Sequence, residues 1–208
     1  MVLEKKLLYE QTKHCNCKEP QYMKSRTNNE LWIFSGVPAA GKTTTSKAFA
    51  KRFAHAAVIS RDDLQDQILS GNVRPDGLPI EEASFQMNMN VRNQCALAKS
   101  YLQHGFTAIC DEVVGEHQLD VYKELLKDYE IHLVTLNPTL DLAAKRDKQR
   151  SNETQFYVDQ SKVDRGKMLH KLILTVADKG LWIDNSNMTV EETISYILKN
   201  KEDCILKH

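Results

Sequence analysis

Residues 36–43 carry a pattern whose glycines, lysine and threonine could together bind a polyphosphate. The pattern is Gly-x-x-x-x-Gly-Lys-Thr; a short apolar run precedes it and a helix-forming segment follows it. Gly36 and Gly41 allow backbone angles and close approaches that a Cβ would prevent. The N–H groups of such a loop, and of the first turn of the next helix, point at phosphate oxygens. The alternative interpretation is a glycine-rich turn that binds no nucleotide.

Two side chains of this pattern have separate roles in phosphate chemistry. Lys42 is expected to reach the β- and γ-phosphates as a point charge, and the Thr43 hydroxyl is expected to bind Mg²⁺. The pattern therefore predicts a site for a nucleoside triphosphate with Mg²⁺. The residues predicted to contact the nucleotide are Gly36, Val37, Pro38, Ala39, Ala40, Gly41, Lys42, Thr43 and Thr44.

Carboxylates are expected close to this loop, because two further predicted strands end in acidic residues. The strand predicted at 56–60 leads into Asp62 and Asp63, and the strand predicted at 106–110 leads into Asp111. In open parallel sheets, ligands bind beyond the carboxyl ends of the strands. Three strand ends are thus predicted to bring a lysine, a hydroxyl and several carboxylates to one edge of the sheet.

Asp62 is the candidate general base at this edge. Phosphoryl transfer to an alcohol needs a group that accepts the hydroxyl proton and orients the attacking oxygen. The alternative is that Asp62 or Asp63 only caps the helix that follows. Asp111 follows four largely apolar residues, and we predict that it contributes to Mg²⁺ binding; it could also contact the acceptor, or be only a turn residue.

Two arginines are candidates for stabilising the transferring phosphoryl group. A helix after the fourth predicted strand places Arg146 and Arg150 four residues apart on one face. The polar segment that adjoins them predicts a mobile lid near residues 146–156. Arginines on a closing lid would stabilise charge on the phosphoryl group, and closure would exclude water. The alternative is a solvated basic helix face.

These residues need a parallel sheet to bring them together, and the rest of the chain predicts one. Short apolar strands alternate with helical segments from residue 30 onward, which is typical of an α/β fold in three layers. Strands are predicted at 31–35, 56–60, 106–110, 131–136 and 181–183. Helices are predicted at 43–53 and 61–69, from an apolar stripe over 83–102, over 169–176, and after the capping box of Thr189 and Glu192.

Composition limits the class of protein. The 208 residues include 28 basic and 28 acidic ones, so global charge indicates neither a nucleic-acid nor a membrane partner. Length predicts one domain over 30–208, preceded by an extension over 1–29. The five cysteines are scattered, which favours free thiols over a disulfide framework or a metal site at Cys15 and Cys17. Without a signal peptide or an apolar span, a cytoplasmic location is expected.

The chain resembles the small P-loop kinases: polynucleotide kinases, chloramphenicol phosphotransferase and zeta-toxin-like kinases. The matching pieces are 36–43, 60–64, 106–111, Arg146, Arg150 and 181–186, and they extend over about 31–198. The resemblance implies a five-stranded parallel sheet in the order 2-3-1-4-5, with helices on both faces. It also implies ATP as the donor, Asp62 as the base, lid arginines on the nucleotide, and residues 184–186 near the adenine.

Three functions stay open at this point. The leading hypothesis is a Mg²⁺- and ATP-dependent kinase of a small-molecule hydroxyl. A second makes the acceptor a nucleic-acid 5′-hydroxyl, but Gln65 stands where phage polynucleotide kinases carry an arginine. Phosphate contacts from Arg74, Arg92 and Lys99 would be too scattered to form a basic track. A third is a nucleotide-binding regulator or toxin-like module with slow or no hydrolysis. The acceptor is expected between the Asp62 helix and segments 71–79, 85–92 and 113–117, and the oligomeric state stays open.

Overall fold

The computed structural model describes residues 30–153 and 160–207, and their side chains except over 150–166. It contains a five-stranded sheet in which all neighbouring strands are parallel. The strands are β1 (Glu30–Gly36), β2 (Ala56–Ser60), β3 (Thr107–Asp111), β4 (Glu130–Leu136) and β5 (Leu181–Ile183). Their spatial order is β2-β3-β1-β4-β5, which confirms the predicted topology.

Helices connect the strands and cover both faces of the sheet. They are α1 (Lys42–Ala50), α2 (Arg61–Asp66), α3 (Ile80–Gln103), α4 (Glu116–Leu125), α5 (Leu140–Glu153), α6 (Gln160–Leu174), α7 (Val190–Lys199) and α8 (Lys201–Cys204). The capping box predicted for α7 is present, since Thr189 Oγ1 accepts a hydrogen bond from the Glu192 amide. The predicted extension over 1–29, with Cys15 and Cys17, lies outside the described residues.

Two hydrophobic clusters lie on the two faces of the sheet, and β1 contributes to both. Leu31 and Ile33 pack into one cluster with residues of α3 and α4. Trp32 and Phe34 pack into the other with residues of α1, α6 and α7. Successive side chains of a strand point to opposite faces, so a central strand covered on both sides must be apolar at every position. That requirement explains the continuous apolar run before the glycine pattern.

The ends of several predicted elements differ from the structure; for example, α1 ends at Ala50 rather than at residue 53, and α6 covers Gln160–Leu174 rather than 169–176. Helix α2 ends at Asp66 rather than at residue 69, and Leu69 is almost fully exposed. Strand β3 includes Asp111, whereas the predicted strand ends at residue 110. Asp111 is in register with Phe34 on one side and Ser60 on the other, because β3 is paired on both edges. Its backbone is therefore fixed by the sheet rather than by a turn.

Helix α4 was not predicted. Its signal is present in the sequence, since the buried residues Leu119, Tyr122 and Leu126 follow steps of three and four. Only its first two residues belong to the segment 113–117 that is expected near the acceptor, and the structure makes Glu116–Leu125 a helix that packs against α3. Within the described ranges, no helix combines the length and the apolar character needed to cross a membrane.

Candidate active site

A cavity of about 950 Å³ opens at the carboxyl ends of the strands. Its wall comes from the glycine-rich loop, the start of α2, the end of β3, helix α5 and the segment after β5. Of the residues predicted to contact a nucleotide, Pro38, Ala39, Gly41, Lys42, Thr43 and Thr44 line this cavity. Gly36, Val37 and Ala40 are buried and do not line the cavity; the side chains of Val37 and Ala40 pack into the hydrophobic cluster beneath the loop.

The loop's conformation depends on two glycines. Gly36 has a φ of 145°, and a Cβ there would lie 2.3 Å from the carbonyl oxygen of Leu136. Gly41 has a φ of 97° and directly precedes α1. Both positions lie where L side chains are disfavoured. The loop and the first turn of α1 both line the cavity, and backbone N–H groups at such a helix start suit phosphate oxygens, so these residues fit a polyphosphate.

Lys42 is held across this loop by two carbonyls. Its ammonium donates hydrogen bonds to Gly36 O at 2.9 Å and to Val37 O at 3.1 Å. Burial lowers the pKa of Lys42, and the charges of Asp111 and Asp62 oppose that shift. The loop carbonyls therefore hold the ammonium in the cavity wall, close enough to Asp111 and Asp62 for their charges to act on it.

Thr43 and Asp111 meet directly, although 68 residues separate them: the Thr43 hydroxyl donates a hydrogen bond to Asp111 Oδ2. Burial raises the pKa of Asp111, and the hydrogen bond from Thr43 and the charge of Lys42 oppose the rise. One hydroxyl and one carboxylate suit Mg²⁺, which keeps several waters and takes phosphate oxygens as further ligands. The described residues contain no cluster of three or more His, Cys, Asp or Glu side chains that could hold a metal ion.

Asp62 projects from the first turn of α2, and its side chain is 82% exposed. Neither Asp62 nor Asp63 caps this helix, because the Ser60 hydroxyl accepts the hydrogen bond from the Asp63 amide at 3.3 Å. Asp62 lines the cavity and Asp63 is not part of its wall. The carboxylate predicted to be the base thus faces the cavity and has no capping role.

Glu112 is a site residue that sequence reasoning did not single out. It is 2% exposed and lines the cavity beside Asp62. Its Oε1 is 3.0 Å from Arg61 Nε and accepts a hydrogen bond from the Val113 amide at 2.7 Å. Burial raises the pKa of Glu112 to about 7, against the opposing charge of Arg61. Among the described residues, its Oε2 has no hydrogen-bond partner. The only signal in the sequence was its place next to Asp111.

Gln65, noted above as a departure from a family pattern, is buried inside a network of amides. Its Nε2 donates to Asn72 Oδ1 at 2.7 Å and to Gln86 Oε1 at 3.0 Å, and its Oε1 accepts from Asn90 at 2.7 Å. Gln86 also accepts a hydrogen bond from the Val73 amide at 2.9 Å. The network fixes the segment that leads to the cavity-lining residues 74–76.

Gln94 joins the ends of two strands. Its Nε2 donates to Ile59 O at 2.7 Å and to Asp111 O at 3.2 Å, and its Oε1 accepts from the Tyr122 hydroxyl at 2.7 Å. The apolar stripe correctly predicted α3 but gave no indication of this polar side. This polar side consists of Gln86, Asn90 and Gln94, which are spaced four residues apart along α3 and are all buried.

Some of the other predicted residues line the cavity, and others do not or lie outside the described side chains. Arg146 lines the cavity, whereas the side chain of Arg150 lies outside the described part of the structure. The lid near 146–156 therefore stays a prediction. After β5, Asn185 Nδ2 donates to Ala40 O at 2.9 Å and so ties this segment to the loop. Arg74 lines the cavity, but Arg92 and Lys99 do not.

Comparison with known proteins extends this description. A family model described as an AAA domain matches residues 31–173, which is more than half of the chain. No curated protein matches the sequence. Many solved structures match the fold, and three of them are described below.

The chain of the Pnkp1/Rnl/Hen1 RNA repair complex that matches is 18% identical, with a TM-score of 0.57; 74% of this chain is covered, but only 48% of that one. This chain thus spans about half of that relative. A candidate kinase of Chloroflexus aurantiacus j-10-fl is 13% identical over 84% of this chain and 97% of its own, with a TM-score of 0.57. A gluconokinase of Sinorhizobium meliloti 1021 is 14% identical over 82% and 90%, with a TM-score of 0.55. At these identities the likeness establishes the fold.

Proposed function

The chain belongs to the AAA-domain family of P-loop NTPases, and on that premise we propose that it is a phosphotransferase that moves the γ-phosphoryl group of ATP to a hydroxyl of a small molecule. The observation that carries the proposal is the position of Asp62. Its exposed carboxylate lines the same cavity as Lys42, Thr43 and Asp111. A nucleotide switch needs the phosphate loop, whereas a kinase also needs a carboxylate free to accept the acceptor's proton.

The proposed reaction follows from this arrangement. The oxygen of the acceptor hydroxyl attacks the γ-phosphorus, and the bond between that phosphorus and the β–γ bridging oxygen breaks. The hydroxyl proton passes to Asp62, and the products are ADP and a phosphate monoester. Lys42 and the loop amides hold the phosphates, while Arg146 and Arg150 are proposed to stabilise charge on the phosphoryl group. Mg²⁺, held by Thr43 and Asp111, would neutralise the β- and γ-oxygens.

The base of the nucleotide is proposed to bind beside the segment that follows β5. Met188 and Val190 line the cavity on that side and offer an apolar surface. Asn185 holds the same segment against the loop through Ala40 O. A base packed there would leave the opposite end of the cavity, around Asp62, for the acceptor.

Asp62→Asn tests the proposal, with Asp63→Asn as a matched control. Removing a general base is expected to lower kcat by about 10²–10⁴-fold, because the acceptor proton then has no carboxylate to receive it. Affinity for ATP should stay within about twofold in both variants, and turnover of Asp63→Asn should match that of the unaltered protein. The measurement is acceptor-dependent ADP release across a library of alcohols. Full turnover by Asp62→Asn would remove this residue as the base.

A nucleic-acid acceptor is the second candidate, supported by the likeness to a chain of an RNA repair complex. It predicts binding of short 5′-hydroxyl oligonucleotides that weakens steeply as salt is added, since phosphate contacts release counterions. Absent or salt-independent binding would exclude it. The third candidate, a regulator without transfer activity, predicts that no alcohol or oligonucleotide accelerates ADP release.

A further inference from the structure

Arg61 is a cavity-lining cation without a role in the reaction described above. It is the first residue of α2, and its side chain is 11% exposed. Its Nε is 3.0 Å from Oε1 of Glu112, whose side chain is fully buried. A guanidinium presents five N–H donors in a rigid fork, so a carboxylate at Nε also orients the two outer nitrogens. Arg61 is therefore held in position from inside the protein.

The two outer nitrogens of Arg61 remain available to a ligand. Within the described part of the chain, its guanidinium forms an ion pair with Glu112 and a longer one, through Nη2, with Asp62 Oδ1 at 3.9 Å. The longer distance exceeds that of a hydrogen bond. Neither outer nitrogen is among the buried polar atoms that lack a partner in the described structure, so both have surface that a ligand can reach.

The strand register places this guanidinium beside the predicted Mg²⁺ site. Ser60 is in register with Asp111, so Arg61 and Glu112 are the residues that directly follow these two paired strand ends. Asp111 accepts a hydrogen bond from the Thr43 hydroxyl. The contact between Arg61 and Glu112 is therefore one residue along the chain from the pair that is expected to meet Mg²⁺ and the γ-phosphate.

Arg61 is also close to the two residues between which the phosphoryl group must pass. Burial is the largest cause of the lowered pKa of Lys42, and the charge of Arg61 lowers it further, whereas Asp111 and Asp62 oppose the shift. In a reactive arrangement, the acceptor oxygen lies against the base and about 3–3.5 Å from the γ-phosphorus. A donor 3.9 Å from the Asp62 carboxylate is within reach of an oxygen on that phosphorus.

We propose that Arg61 is a further catalytic residue, whose outer nitrogens donate hydrogen bonds to the γ-phosphoryl group of ATP. Arg61 keeps its protons throughout the transfer and stabilises the charge that spreads over the phosphoryl oxygens. The inference rests on the proposed phosphotransferase function. Because α2 rather than α5 carries this arginine, its contact does not depend on closure of the lid predicted near residues 146–156.

Titration calorimetry with two nucleotides and Mg²⁺ tests the contact without any acceptor. ADP lacks the γ-phosphoryl group, and β,γ-methylene-ATP carries one that is not transferred. Arg61→Lys keeps a cation beside Glu112, but an ammonium held there has no second nitrogen for a phosphate. Its affinity for β,γ-methylene-ATP should fall about 10–100-fold, the range for a hydrogen bond to a charged group, while ADP affinity changes less than about twofold. The exposed Arg92→Met is the control and should bind both nucleotides normally.

A second variant keeps the test informative if Arg61→Lys folds poorly. Arg61→Met alone would leave a buried charge unpaired, whereas Arg61→Met with Glu112→Met replaces the ion pair by apolar side chains, which buried pairs often tolerate. The same selective loss of affinity for β,γ-methylene-ATP is expected. In acceptor-dependent ADP release, both variants should lower kcat about 10²–10³-fold, the range for one donor to developing charge.

The outcomes separate this inference from the proposed function. Equal losses for both nucleotides would show that Arg61 supports the fold of the site, and unchanged affinity for both would assign it to the acceptor. Either result would overturn the inference and leave a kinase in place. If no alcohol accelerates ADP release by the unaltered protein, the kinase and the catalytic role of Arg61 fail together. A loss confined to β,γ-methylene-ATP, with a lowered kcat, is the result that supports the inference.

Discussion

The two ends of the cavity are built from different parts of the chain. At the phosphate end, the binding surface is mostly backbone. Its bend depends on the positive φ angles of Gly36 and Gly41, and Lys42 donates hydrogen bonds to the carbonyls of Gly36 and Val37. At the acceptor end, the surface consists of side chains, which a buried amide network holds in position. A backbone surface binds any polyphosphate, whereas a side-chain surface distinguishes one acceptor from another.

The difference explains why one end can be identified from a short pattern and the other cannot. A tight loop restricts residue types locally, because few residues adopt its backbone angles. The acceptor end brings together residues from α2, α3 and β3, and many combinations of side chains could fill it. We expect substitutions at the phosphate end to act on folding of the loop and on nucleotide affinity. Substitutions at the acceptor end should leave nucleotide affinity intact.

Gly36→Ala should have the largest effect on stability. Its Cβ would lie 2.3 Å from Leu136 O at a positive φ, so strain and overlap add. We expect a loss of about 4 kcal/mol in the free energy of unfolding, measured by denaturant titration, together with loss of ATP binding. Gly71→Ala is the control: its φ of 73° is also positive, but no atom lies within 4 Å of its Cβ. It should cost about 1 kcal/mol. Equal losses would contradict the overlap argument.

Gln86→Leu should have the next largest effect, at the acceptor end. It leaves the half-buried Val73 amide without this partner, which costs about 1–3 kcal/mol. It also removes one hydrogen bond, at about 1 kcal/mol, from the Gly71 carbonyl and one from Gln65 Nε2, which keeps Asn72 and Val73 as partners. We expect a net loss of about 3 kcal/mol and unchanged ATP affinity. Gln103→Leu, on the exposed side of the same helix, is the control. Weakened nucleotide binding in Gln86→Leu would show that the two ends are not independent.

Lys42→Ala should have the smallest of these three effects on free energy, and its main effect should be on nucleotide affinity. Loss of one charge-assisted contact to phosphate predicts ATP affinity lowered about 30-fold, or about 2 kcal/mol. Titration calorimetry with ATP is the measurement. The exposed Lys47→Ala, on the same helix, should bind ATP normally. Undiminished ATP affinity in Lys42→Ala would count against the assignment of the loop.

Most elements followed from local pattern, whereas the strand order was implied by the resemblance to the small P-loop kinases. A strand or a tight loop is determined by residues that are close together in the sequence, so the apolar runs and the glycine pattern were enough to predict these elements. The buried side of α3 could not, because Gln86, Asn90 and Gln94 read as surface residues until their partners are known. Glu112 was missed for a similar reason, since its position is set by the ion pair with Arg61, which is distant in sequence, and its Oε2 lacks a donor only in the folded structure. Polar groups acquire a role from three-dimensional partners that spacing does not reveal.

Gln94 of α3 helps to set the distance between the carboxylates of Asp62 and Asp111. Its single amide holds Ile59 O and Asp111 O, so the strand that leads to Asp62 and the strand that carries Asp111 are attached to the same turn of α3. One residue inserted into α3 before this point would turn the amide by about 100° around the helix axis. Both strand ends would lose their common anchor in one step. Insertions and deletions before Gln94 in α3 should therefore displace both strand ends, and a library of such length variants would measure how strongly the site depends on this helix.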